Sequence, residues 1–175
     1  MLHRLLLAFA LLVAGFAPLA AHGPTPQRAD ESVTIEASPG AVWKLIAEFG
    51  AIGAWHPLVK RVAATGGDAA GAERVLTLDK GDLTEGLDEV DADARRISYR
   101  LTRENVEALP VSFYTATIEV KPSGSGSEVR WDARFYRADT TNEPPENLND
   151  EAAITAMTDF IRQGLDGLKR KASGK

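Results

Sequence analysis

Three kinds of hydrophobic spacing succeed one another along the chain. Leu5 to Val13 is apolar throughout, and small and apolar residues continue to Ala21. Behind Arg4 this gives a charged start, an apolar middle and the small-residue end Ala20-Ala21, the pattern of a cleavable export signal. Gly15 and Pro18 break the run, and it falls short of the ~20 residues of a membrane span. Residues 1–21 are therefore read as a signal peptide, with an uncleaved anchor as the alternative, and the chain is expected in the periplasm. Residues 22–31 are polar and contain Pro24 and Pro26, and read as a flexible leader.

Ser32 to Ala37 alternates Val33, Ile35 and Ala37 with polar neighbours, the period of a strand. Ser38-Pro39 then supplies a helix N-cap and first helical residue, and Val42, Leu45, Ile46 and Phe49 recur at helical spacing up to Gly50. Beyond Val59 the period returns to two. Arg74, Leu76 and Leu78 share one face. So do Leu83, Glu85 and Leu87, after the connection Asp79 to Asp82. Ile97-Tyr99-Leu101, Tyr114-Ala116-Ile118-Val120 and Val129-Trp131-Ala133-Phe135 mark further strands. After the polar loop Asn142–Asn149, a helix from about Asp150 to Lys171 carries an inner stripe of Ile154, Met157, Ile161, Gly164, Leu165 and Leu168. Its acidic start and basic end complement the helix dipole.

One strand, a helix, consecutive antiparallel strands and a closing helix predict an α+β domain over residues 32–172, with a short tail at 173–175. The expected packing is a curved antiparallel sheet of about six to seven strands around the last helix, with one or two short helices after the first strand. Gly164 and Gly167 along the helix's inner face have two readings: they leave a hollow between helix and sheet, or they permit close backbone packing. With a hollow, its walls are Trp55, His56, Arg74, Leu76, Glu85, Leu87, Tyr99, Tyr114, Trp131, Phe135, Met157, Ile161 and Gly164.

Composition narrows the functions. The 175 residues contain no cysteine, which removes disulfides, thiolate metal sites, iron–sulfur clusters, c-type haem attachment and a thiol nucleophile. A net charge of −5 argues against nucleic-acid binding. No G-x-S-x-G, H-E-x-x-H, P-loop or dinucleotide fingerprint is present. These patterns predict no catalytic residue, no metal and no cofactor.

Three groups remain. His56, between Trp55 and Pro57, is either a polar contact for a ligand or partner, or a histidine bonded to backbone. His22, as a new amino terminus, would with His56 offer nitrogen ligands to Cu(II), a match without geometric support. Arg74 and Glu85 share faces with leucines. If Leu78 pairs with Leu83, Arg74 and Glu85 are diagonal neighbours, forming a polar anchor inside a cavity or an ordinary surface bridge. Glu85, with His56 or Tyr99, is also the one acid/base candidate.

The strings ASPGAVWKLIAEFG (37–50), WHP (55–57), LPVSFYTATIEV (109–120) and GLDGLK (164–169), in this order, resemble the SRPBCC, or START-like, superfamily and its polyketide cyclase/dehydrase branch. That resemblance implies a helix-grip fold with a hydrophobic cavity. The leader HGPTPQ (22–27) and the loop NEPPENLNDEAA (142–153) are similar to periplasmic MxaD-type members. They imply an accessory role in methanol oxidation, promoting electron transfer from methanol dehydrogenase to its cytochrome c. The acidic loop residues Glu143, Glu146 and Asp150 are the candidate partner contacts. The alternatives are a carrier of a small lipophilic ligand and a cyclase- or dehydratase-like enzyme.

Overall fold

The sequence from Gln27 builds one strand before any helix, because its alternation begins earlier than the apolar residues alone indicate. The computed structural model describes residues 23–174; the expected signal peptide and His22 lie outside them. Strand β1 (Gln27–Ile35) leads through Ser38, whose side chain accepts from the Ala41 N–H, into α1 (Pro39–Ala47). A 3-10 segment (Phe49–Ala54) follows. Then come β2 (Arg61–Thr65), β3 (Glu73–Leu78), β4 (Gly81–Asp91), β5 (Arg96–Arg103), β6 (Val111–Ser123), β7 (Gly126–Arg137), a 3-10 turn (Glu146–Leu148) and α2 (Asp150–Ala172). The seven strands form one sheet in the order β1-β7-β6-β5-β4-β3-β2, antiparallel throughout.

The expected leader over residues 22–31 is corrected here, since Gln27 to Glu31 pair with Phe135 to Trp131 of β7. Their polarity is that of an outer sheet face. Arg28 reaches Asp132 at 2.5 Å, and Arg130 pairs with Asp30, while Ala29 between them is buried. Strand β2 carries no alternating apolar signal because it is an edge strand whose residues are mostly exposed. The β3–β4 connection is also tighter than expected. Only Asp79-Lys80 lie between the strands, so Leu78 pairs with Gly81, Leu76 with Leu83, and Arg74 directly with Glu85. Gly81 takes a φ of 133° and opens β4 against the Asn105 side chain.

The inward faces of β3 to β7 are apolar apart from a few polar groups, and α2 lies chiefly against β1 and β7, with its Met157, Phe160, Ile161, Leu165 and Leu168 all buried. Ile154, expected in the inner stripe, instead is 39% exposed near the start of α2. Asn149 caps α2 by accepting from the Ala152 N–H at 2.9 Å.

Between the two readings of the α2 glycines, the structure takes close packing. A Cβ at Gly167 would lie 1.9 Å from the Trp55 carbonyl oxygen, and one at Gly164 2.6 Å from the Trp131 ring and 2.7 Å from the His56 ring. The hollow expected beneath these glycines is thus filled by the Trp55–His56 corner and Trp131. Gly40 in α1 has open space around it. Gly167→Ala is expected to destabilise the fold by about 2 kcal/mol or more, because a backbone carbonyl cannot yield as a side chain can. Gly40→Ala is expected to be neutral or stabilising by up to about 1 kcal/mol. Urea midpoints of the two variants check the contrast.

Candidate functional site

Direct pairing of β3 with β4 brings Arg74 and Glu85 face to face on the inner side of the sheet. They are 4% and 1% exposed, and Arg74 Nε donates to Glu85 Oε2 at 2.5 Å. The other carboxylate oxygen accepts from the Tyr114 hydroxyl. Arg74 Nη1 donates to the Phe49 carbonyl at 2.7 Å. Its guanidinium lies over the Phe49 ring at 4.1 Å and the Tyr99 ring at 4.8 Å, cation–π contacts that a dry interior strengthens. Arg74 Nη2 has no hydrogen-bond partner. Burial pushes the hydroxyls of Tyr99 and Tyr114 well above the usual tyrosine range, with the Glu85 charge adding to the effect, so both stay protonated.

The 3-10 segment delivers the second part of the site. Its last turn leads into Trp55, whose indole N–H donates to the Leu45 carbonyl at 3.0 Å and ties this corner to α1. His56 follows, 1% exposed. Its Nδ1 accepts from the Leu58 backbone N–H at 3.2 Å, which leaves the proton of the neutral ring on Nε2. Nε2 has no hydrogen-bond partner. The ring stacks on Phe160 with centroids 4.1 Å apart and meets the Trp131 ring edge-on at 6.0 Å. Burial lowers the pKa of His56 to about 3; the Phe160 backbone carbonyl opposes this and the Arg74 charge reinforces it. Of its two sequence readings, the backbone-bonded histidine holds for Nδ1 alone.

All the residues named for a cavity wall are buried: the polar ones as above, and Leu76, Leu87, Trp131, Phe135, Met157, Ile161 and Gly164 in the apolar core around them. They pack on one another instead of facing open volume. The apolar recess that does exist, about 200 Å³, opens beside them and is lined chiefly by Leu58, Leu78, Leu109, Pro110, Ala156 and Phe160. Phe160 separates this recess from His56.

The partner contacts divide. Glu143 and Glu146 are exposed. Asp150 is not a free acidic group: its Oδ2 binds Arg137 Nη1 at 3.0 Å, in the first turn of α2 where a carboxylate also meets the positive helix end. Arg137 donates further to the carbonyls of Asp139 and Thr141 at 2.7 and 2.8 Å, so this cluster holds the loop to the helix. Among the described residues no group of three or more His, Asp or Glu could hold a metal ion. His56 is sealed within the core, and His22, the other nitrogen ligand considered for copper, lies outside the described residues.

Two aromatic positions escaped the sequence reading. Phe160 was recoverable, because it stands three residues after Met157 and four before Gly164 on the same helix face. Phe113 had no signal: it lies at a bulge of β6, with a φ of 50° and 71% of its surface exposed.

Comparison with known proteins bears on this geometry. Residues 26–173 match the family described as polyketide cyclase / dehydrase and lipid transport. Among solved structures, the protein XoxI from Bacillus cereus is 28% identical, with a TM-score of 0.68 over 83% of this chain and 95% of that one. A protein from Thermobifida fusca is 29% identical, with a TM-score of 0.65 over 84% and 93% of the two chains. A norcoclaurine synthase point mutant from Thalictrum flavum, in complex with a transition-state analogue, shares the fold at 17% identity, with a TM-score of 0.66 over 86% and 96%. No curated protein matches the chain.

The depressed pKa of His56 gives stability a pH dependence of definite sign. An unfolded histidine titrates near 6.5 and the folded one near 3, so the unfolded state binds the extra proton. The contribution is complete above about pH 6.5 and declines as pH falls toward 3. Urea midpoints of the native sequence are expected to drop between pH 7 and 5, and His56→Phe to remove about one proton's worth of that slope.

Proposed function

The chain belongs to the polyketide cyclase/dehydrase and lipid transport family, and within it we propose a non-catalytic accessory protein that binds a small apolar ligand in the recess beside the packed interior, lined chiefly by Leu58, Leu78, Leu109, Pro110, Ala156 and Phe160. One observation carries this reading: the interior offers hydrogen-bond donors but no available acid or base. Arg74 Nη2 is buried without a hydrogen-bond partner, and His56 Nε2 has no well-formed one, only the Phe160 backbone carbonyl acting on its ring. A native fold leaves few such groups, and each calls for a partner. Glu85, the acid/base candidate, has both oxygens engaged by Arg74 and Tyr114. Proton transfer needs a group that reaches substrate with a pKa near the working pH. The Glu85 carboxylate is bonded at both oxygens within the core and does not reach out to substrate, and a histidine pushed down to about 3 is no base at working pH. Native mass spectrometry of the protein purified from its source cells is expected to show an added small-molecule mass that denaturation releases. A consistently bare chain overturns the binding reading.

A second reading concerns the partner: a periplasmic accessory of methanol dehydrogenase and its cytochrome c. It is supported by the resemblance of the leader and the 142–153 loop to MxaD-type proteins. It is favoured by the exposed Glu143, Glu146 and Glu151 at one end of α2. None of the three enters an ion pair among the described residues. Unpaired exposed charge steers encounter and is screened beyond a Debye length. Adding the protein to a reconstituted dehydrogenase–cytochrome pair is expected to speed electron transfer. The gain shrinks with added salt and in the triple variant Glu143→Gln, Glu146→Gln, Glu151→Gln. An unchanged rate on adding the protein overturns the assignment.

A further inference from the structure

Along most of the sheet's outer face the charges are paired. Arg28 binds Asp132 and Asp30, Arg96 binds Glu89, and Lys121 binds Glu119. Arg134 of β7 enters no ion pair among the described residues. The register makes its setting unfavourable. Arg28 stands directly opposite it on β1, and on its other side Thr115 of β6 faces Arg100 of β5. Three arginines thus share one row across four strands, and all three are exposed. Arg28 and Arg100 turn aside to Asp132 and Asp88. Arg134 is left as an unpaired cation opposite a second one, an arrangement that destabilises a ladder.

The row ends at a second anomaly. Strand β6 bulges between Ser112 and Thr115, whose partners on β7 are Tyr136 and Arg134. The bulge holds Phe113 at a φ of 50° with 71% of its surface exposed. A bulky side chain in the left-handed region is strained, and an exposed ring forgoes the gain of burial. Strained residues of this kind cluster at functional positions. Aromatic rings beside arginine are also what protein interfaces concentrate at their centres. Charge selects the occupant. Arg134 and its flanking arginines match a carboxylate, and Phe113 matches an apolar side chain next to it. Asp30, Glu119 and Asp132 on the same face oppose a uniformly anionic surface, such as an acidic bilayer, because like charges would be pressed together.

We propose that this end of the outer face docks a partner protein through a segment that presents a carboxylate to Arg134 and an apolar side chain to Phe113. The contact is separate from the apolar recess and from the acidic residues at the start of α2. NMR titration of the isotope-labelled protein with three short synthetic peptides tests it: one of alternating Glu and Leu, one with every Glu replaced by Gln, and one with every Leu replaced by Ser. The Glu–Leu peptide is expected to shift the amides of residues 113–115 and 134–136, and to bind about tenfold tighter than either of the others. Arg134→Gln is expected to remove its advantage over the Gln peptide, and Phe113→Asn its advantage over the Ser peptide. Asparagine tolerates a positive φ, so Phe113→Asn is also expected to keep or raise the urea midpoint. A lowered midpoint gives the ring a structural role and overturns the proposal. Equal binding of the three peptides, shifts centred elsewhere, or no shift at all overturns it likewise. So does sedimentation of the protein with vesicles of phosphatidylcholine and phosphatidylserine while the Glu–Leu peptide leaves those amides unmoved.

Discussion

The seating of α2 on the Trp55–Pro57 corner holds the rest of the molecule in place. At Gly167 the helix backbone approaches the Trp55 carbonyl and the Pro57 ring so closely that even a methyl group has no room. Each glycine costs a helix about 1 kcal/mol relative to alanine. The contact offsets this by letting Leu165 and Leu168 bury fully against the fold, each burial being worth about 1.5–3 kcal/mol. Trp55 is fixed in turn by the Leu45 carbonyl at the end of α1. One corner thus sets both the depth of the long helix and the position of the short one, and it carries His56 inward beneath them.

The polarity of the interior depends on a different constraint, the length of one hairpin loop. With two residues between β3 and β4, Arg74 and Glu85 stand directly opposite each other. A slip of one residue in either strand would turn its charge to the face opposite its partner's. Removing either member of a buried pair leaves an uncompensated charge, typically about 3–5 kcal/mol, whereas the intact pair adds little to stability compared with apolar packing. Its retention in an apolar core, walled by Phe49 and Tyr99, fits a role in setting what the interior accepts.

Much of this was readable in the residues. Alternation assigned the inward faces of six strands, and helical spacing with its end charges placed α2, because both patterns follow directly from which side chains are buried. What alternation cannot supply is register: the parity of Arg74 and Glu85 was right, but their pairing was off by two residues because turn length depends on backbone dihedrals such as the positive φ of Gly81. Polar strands were read as something else. Arg28 and Asp30 looked like leader until β7 supplied Asp132 and Arg130 as cross-strand partners. The same holds for Asp150, whose apparent freedom disappears once Arg137 is folded beside it. The glycines of α2 were ambiguous in principle, since a missing side chain leaves space or admits a neighbour, and only the neighbour's position decides.

Both outermost strands have a helical segment lying against them: α2 runs beside β1, where Arg162 reaches Glu31 at 3.0 Å, and the 3-10 segment presses Gly50 and Gly53 onto Ala64 and Val62 of β2. These contacts are made through side chains, so each outermost strand is braced by the helical segment beside it while β2 keeps most of its residues exposed.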